Sequence, residues 1–174
     1  MKIYFTVLQS VYKKDNPIFL SQSLQSIAEN TVQSYSVVLV KDGILNHELE
    51  SVISEWQSKL PLKVVGYEKN QGLAHALNYG LQFVETELVA RMDSDDICFS
   101  NLSEKQIAQF EVDSSIEILV ESFCKFCSFF CAAIFDFFCK VAMRNFIAVF
   151  SHKLEFFGAC FCAEKYHPRP GPDL

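Results

Sequence analysis

Three carboxylates fall within four residues at Asp93, Asp95 and Asp96, in the stretch Arg91-Met92-Asp93-Ser94-Asp95-Asp96. Like charges this close raise one another's pKa and strain a fold unless a cation or hydrogen bonds offset them. An apolar run, Leu88-Val89-Ala90, precedes them and predicts a buried strand that delivers the acids at its carboxyl end. Hard divalent cations such as Mg²⁺ and Mn²⁺ take oxygen from one or two carboxylates and fill their shell with phosphate and water. Open α/β sheets bind ligands at that edge. The residues therefore suit a metal held against a phosphate; the plainer alternative is a solvated acidic turn.

A second acid, Asp42, follows the β-branched run Ser36-Val37-Val38-Leu39-Val40, a pattern that predicts a strand buried on both faces. The remaining pattern alternates strands and helices. Lys2–Leu8 reads as a first strand, left through Gln9-Ser10-Val11-Tyr12, and Lys13-Lys14-Asp15 as a polar loop. Asn16-Pro17 opens a helix with Leu20, Leu24 and Ile27 on one face. A second helix starts near Asn46, with Leu49, Val52, Ile53 and Trp56 at helical spacing, and Pro61 stops it. Leu62–Tyr67 is a third strand, Lys69-Asn70-Gln71-Gly72 a turn, and Leu73 to Val84 a third helix. Glu87–Arg91 is the fourth strand, and Ser103 with Gln106 resembles a capping box for a fourth helix through Ile107 and Phe110.

This order predicts an α/β fold, a mostly parallel sheet flanked by helices. It puts Asp42 and the Asp93–Asp96 group at one sheet edge. One acid to accept hydrogen bonds from a base or ribose, and another to hold a cation, make a site for a nucleoside diphosphate. The P-loop and dinucleotide fingerprints are absent.

The 174 residues suit one domain with a proper core, and the net charge of −6, without clustered Lys and Arg, argues against a nucleic-acid surface. The N-terminal apolar run is too short for a signal-peptide core. The expectation is a cytoplasmic chain whose seven Cys are reduced thiols.

Residues 1 to about 117 resemble the donor half of family-2 glycosyltransferases with the GT-A (Rossmann-like) fold, of the bacterial exopolysaccharide and lipopolysaccharide, amylovoran-biosynthesis type. The matching pieces are Ser10-Val11-Tyr12, Val38-Leu39-Val40-Lys41-Asp42-Gly43, Lys69-Asn70-Gln71-Gly72-Leu73 with Ala76-Leu77-Asn78, and Ala90-Arg91-Met92-Asp93-Ser94-Asp95-Asp96-Ile97. The resemblance implies a nucleotide-sugar donor, a divalent cation (Mg²⁺ or Mn²⁺), and a saccharide or lipid-linked acceptor. It implies that Asp42 reads the base, with Ser10 and Tyr12 around the nucleoside and Asn70 and Gly72 in the turn that approaches it. Asp93, Asp95 and Asp96 look like the Asp-x-Asp-type motif, with Asp95 towards the ribose and Asp96 towards the cation, so that Asp95 and Asp96 are the metal candidates. It leaves room for peripheral association with the inner face of a membrane.

After Val120 the resemblance fades. Six of the seven Cys and twelve of the seventeen Phe lie beyond that point. We read residues 1–117 as a nucleotide-sugar-binding half-domain and 118–174 as an atypical Phe/Cys-rich tail, expected from a reading-frame change near codon 120 that truncates the family pattern. The apolar run Phe126 to Phe135 is shorter than the ~20 residues of a membrane span. Cys124 and Cys127 lack a second pair at zinc spacing. The acids Glu121, Asp136, Glu155 and Glu164 sit in no recognisable motif, so the catalytic base is unassigned. The alternative function is a non-catalytic remnant that folds and at most binds nucleotide.

Overall fold

The computed structural model describes residues 4–113, 118–122 and 146–151. Its elements are β1 (Phe5–Val11), α1 (Pro17–Ala28), β2 (Ser36–Asp42), α2 (His47–Trp56), β3 (Leu62–Tyr67), α3 (Leu73–Leu81), β4 (Leu88–Arg91), α4 (Leu102–Val112), β5 (Ile118–Ser122) and β6 (Phe146–Ser151). They form one six-stranded sheet in the order β3-β2-β1-β4-β6-β5. The pairs β1·β2, β1·β4 and β2·β3 are parallel, and β6 runs antiparallel to both β4 and β5. The sheet is thus mostly parallel with one reversed strand, in line with the α/β, GT-A-type expectation. Strands from 118–122 and 146–151 join it beyond the position where the sequence pattern changes. Cys124, Cys127, Asp136, Glu155 and Glu164 lie outside the described residues.

Alternation along the strands sorts side chains into two cores. Val37 and Leu39 of β2, with Phe5, Val7 and Val11 of β1, meet Leu20, Leu24 and Ile27 of α1, Leu49, Ile53 and Trp56 of α2, and Leu102 and Phe110 of α4. Val38, Val40, Leu8 and Val89 turn to the opposite face, against Ala76 and Leu77 of α3. Both faces of the central strands are covered, which is why their sequences read as continuous apolar runs. The Trp56 indole N–H donates to Ser21 Oγ at 3.1 Å and ties α2 to α1.

Three local expectations are corrected. The first strand runs through Gln9 and Ser10 to Val11, so Ser10 is a buried strand residue, not a loop residue. Gln9 can stay in the strand because Ser23 and the Asp93 carbonyl satisfy its amide N–H groups. Ser103 and Gln106 do not cap α4: its N-cap is Asn101, without a side-chain cap bond, and the Ser103 amide donates instead to Asn30 Oδ1. Helix α3 stops at Leu81, short of Val84. The caps at Asn16 and Asn46 are as the sequence suggests, accepting from the amides of Ile18 and Leu49. Among the described residues no helix is long and apolar enough to cross a membrane.

Helix α3 lies unusually close to the sheet. A Cβ at Gly80 would fall 2.5 Å from Leu8 Cδ1 and 2.6 Å from Val40 Cγ2, both fully buried. Gly80→Ala gains about 1 kcal/mol of helix propensity but overpacks this face, at a typical cost of about 1–3 kcal/mol. With two contacts this short the overpacking wins. Urea unfolding is expected to show a net loss of about 1–2 kcal/mol.

Candidate functional site

The chain order places β2 and β3 on one side of β1 and β4 on the other. The carboxyl ends of β1 and β4 therefore flank a topological switch point, the crevice where open parallel sheets receive ligands. The acidic loop leaves β4 there. Its start is held by β1, because the Met92 amide donates to the Leu8 carbonyl at 3.1 Å.

Each acid in that loop has a different environment. Asp93 faces inward: its Oδ1 pairs with the Arg91 guanidinium, and both side chains are mostly covered. Its carbonyl accepts from Gln9 Nε2 at 2.9 Å, Ser23 Oγ at 3.3 Å and the Asp96 amide at 3.2 Å. Asp95 is exposed. Asp96 is 6 % exposed, and its Oδ2 has no hydrogen-bond partner. Burial first, then the charges of Asp93 and Asp95, push the Asp96 carboxyl up from 3.8 to about 6, and Arg91 offsets only part of this.

A second cluster forms at the end of β2. Asp42 is 1 % exposed. Its Oδ1 accepts from the Tyr67 hydroxyl at 2.9 Å and the Gln71 amide at 2.7 Å, and its Oδ2 accepts from the Gly72 amide at 3.1 Å. Asn70 Nδ2 donates to the Asp42 carbonyl at 3.2 Å. Gly72 is the N-cap of α3 at φ +90°, where a side chain is strained, so Asp42 serves as the anionic cap that α3 lacks from its own sequence. Gly43, at φ +91°, lets Asn70 approach: a Cβ there would lie 2.8 Å from the Asn70 amide.

The expected residues thus fall into two groups. Asp42, Asn70 and Gly72 meet directly. Asp93, Asp95 and Asp96 share the β4 loop. Ser10 sits on β1 between the groups, opposite Val40, with alternation turning it to the α3 face. Tyr12 lies half-buried just past β1. Since β1 separates β2 from β4, the groups are two strand spacings apart, roughly 10 Å. Sequence reasoning missed Gln9, Asp15, Tyr67 and Arg91. Asp15 Oδ2 accepts from the Tyr12 amide at 3.1 Å and from Ser94 Oγ at 2.8 Å. Nothing local in Lys13-Lys14-Asp15 signals a partner 79 residues away.

Among the described residues no three or more His, Cys, Asp or Glu converge as a complete metal cage. A magnesium- or manganese-type ion does not need one. An exposed carboxylate beside a buried one with an orphaned oxygen fits a hard cation that also binds phosphate. The small cavity lined by Ile27, Asn30, Met92 and Cys98 lies on the α1 side of the sheet. The Cys98 thiol there is pushed up by burial and accepts from Asn30 Nδ2 at 2.9 Å.

A parallel-centred sheet covered on both faces, with an acidic loop at its switch point, defines a GT-A-type domain. The chain belongs to glycosyl transferase family 2, whose family model matches residues 10–140. It is 48 % identical over 97 residues to the UDP-Gal:alpha-D-GlcNAc-diphosphoundecaprenol beta-1,3-galactosyltransferase of Escherichia coli, covering 56 % of this chain and 35 % of that protein. It is 45 % identical over 107 residues to the amylovoran biosynthesis glycosyltransferase AmsE of Erwinia amylovora, covering 62 % and 40 %. Residues 1–349 of TarS from S. aureus, solved with UDP-GlcNAc, align with a TM-score of 0.60 at 24 % identity, covering 67 % of this chain and 33 % of that one. The mannosyltransferase PcManGT of Pyrobaculum calidifontis, solved with GDP-Man and Mn²⁺, aligns at 0.60 and 21 %, covering 68 % and 35 %. At those identities the likeness to both structures is one of fold. The chain spans 35–40 % of the length of these two curated relatives.

Three variants test the reading of the acids. The Asp96 carboxyl is raised from 3.8 to about 6, so its charge costs nothing at low pH, destabilises the chain progressively as pH rises between those two values, and costs a constant amount above about 6. Asp96→Asn is expected to stabilise the metal-free chain by up to about 3 kcal/mol at pH 8, the gain shrinking as pH falls towards 4. Chemical unfolding in EDTA across that range measures it. Asp42→Ala strands three donors, and about 3 kcal/mol of stability is expected to go with them. Tyr67→Phe, which removes one donor cleanly, is expected to cost about 1 kcal/mol in the same assay.

Proposed function

We propose that the chain is the donor-binding part of a glycosyltransferase that takes a UDP-sugar with a divalent cation. The observation that carries this reading is the orphaned, buried Asp96 carboxylate beside exposed Asp95 at the switch point. Asp95 and Asp96 hold the cation and the ribose side of the donor. A bound Mg²⁺ or Mn²⁺ supplies Lewis-acid charge to the departing diphosphate. Arg91 keeps Asp93 neutralised, so the loop does not present all three charges to the incoming phosphates.

Asp42, with Ser10, Tyr12, Asn70 and Gly72 around it, takes the nucleoside. Lone-pair counting supports a uracil base. A carboxylate offers about four acceptor sites, two per oxygen. Tyr67 and Gln71 use two on Oδ1 and Gly72 one on Oδ2. One acceptor site is left, which suits the single imide N–H of uracil and not the paired donors of guanine. The UDP-Gal donor named for the Escherichia coli relative agrees. By the same likeness the acceptor is a saccharide on a lipid diphosphate.

Calorimetry of the full chain with UDP and GDP, in Mn²⁺ and in EDTA, tests the proposal. UDP is expected to bind at least tenfold more tightly with Mn²⁺, and GDP more weakly than UDP. Asp96→Ala is expected to abolish the metal dependence. Equal UDP affinity in both buffers would remove the cation from the reading.

A further inference from the structure

We propose that Asp15 is a positioning residue that couples the nucleoside side of the site to its cation side, an inference that rests on the donor-site reading above. Its Oδ2 is a shared acceptor. The Tyr12 amide donates to it at 3.1 Å, while the Asp15 amide donates back to the Tyr12 carbonyl at 3.0 Å. That ring alone would be an ordinary loop closure. The shorter bond to the same oxygen comes from Ser94 Oγ at 2.8 Å, across the crevice. Ser94 is buried and stands between Asp93 and Asp95.

The same β1–α1 unit grips the preceding residue as well. Gln9 of β1 and Ser23 of α1 both donate to the Asp93 carbonyl, and Gln9 also donates to Ser23 at 2.7 Å. Consecutive residues of the acidic loop are therefore held from one segment, Asp93 by its backbone and Ser94 by its side chain. A movement of the Tyr12 loop must move Ser94, and with it the neighbours that face the cation. The two half-sites behave as one preorganised body. Pre-set spacing is what makes the binding of one ligand favour the next.

Asp15 acts here through Tyr12 and Ser94, so its removal should reduce the coupling between cation and nucleotide more than the affinity for nucleotide alone. The test is calorimetry of the full chain with UDP, in saturating Mn²⁺ and in EDTA. Wild type is compared with Asp15→Ala, Ser94→Ala, the double variant and Asp15→Asn. The ratio of the two dissociation constants is expected to fall about tenfold in each single Ala variant and no further in the double variant. The EDTA value should change little. Asp15→Asn, whose carbonyl still accepts one bond, should recover part of the ratio. Equal weakening in both buffers, or additive losses in the double variant, would overturn the coupling role.

If wild type shows no metal dependence, the cation leaves the donor-site reading, and amide exchange of the ligand-free chain decides by itself whether Asp15 and Ser94 form a latch. Ser94→Ala is expected to speed exchange at the Tyr12 amide several-fold. Unchanged exchange there would overturn the latch.

Discussion

The site depends on holding like charges together at the end of a buried strand. Asp93, Asp95 and Asp96 leave β4 within four residues, in a crevice where water is partly excluded. Left alone, such a loop would relax outward to solvate its charges. The fold prevents this by treating the acids unequally. Asp93 is neutralised by Arg91 and pinned through its carbonyl by Gln9 and Ser23. Ser94 is tied to Asp15. What remains is Asp95, which water solvates, and Asp96, which carries the strain as a carboxyl pushed up to about 6 with one oxygen unpaired. A site that keeps such a group is less stable than it could be, which is the observation the proposed cation role accounts for.

The sheet topology makes this arrangement possible. Strand β1 sits between β2 and β4, so its end is the floor of the crevice and its polar residues can serve both sides. Gln9 turns to the α1 face and clamps the acidic loop, while Ser10 turns to the α3 face, where Asp42 lies one strand away. Placing two polar residues at the end of a central strand would ordinarily weaken it. Here Ser23 and the Asp93 carbonyl take up both amide N–H groups of Gln9, though Gln9 Oε1 stays without a partner among the described residues.

In the proposed site, recognition and stability would share one group, Asp42. Its carboxylate caps α3 through the Gln71 and Gly72 amides and anchors Tyr67 of β3, while its backbone carbonyl closes the turn by accepting from Asn70. The turn residues that carry the family resemblance are therefore the ones that hold Asp42 in place. Any loss of nucleotide affinity on changing Asp42 contains a structural part, which Tyr67→Phe helps to separate.

The sequence by itself determined the class of fold and the edge on which the acids lie. Periodicity placed α1, α2 and β2 because helix stripes and fully buried strands have local, repeating patterns. The motifs around Asp42 and Asp93–Asp96 identified the family for the same reason, being short and contiguous. Only the tertiary structure decided which polar residues meet. The Asp15–Ser94 and Gln9–Asp93 bonds join positions 79 and 84 apart, and no local pattern encodes a partner at that distance. The end of β1 and the start of α4 depart from their local sequence pattern for a related reason. Polar Gln9 and Ser10 looked like a strand exit, and Ser103 looked like a cap. Gln9 and the Ser103 amide are held instead by distant acceptors, and Ser10 is kept in β1 by its pairing with β2; burial of a polar group is decided by such partners and not by its own residue type.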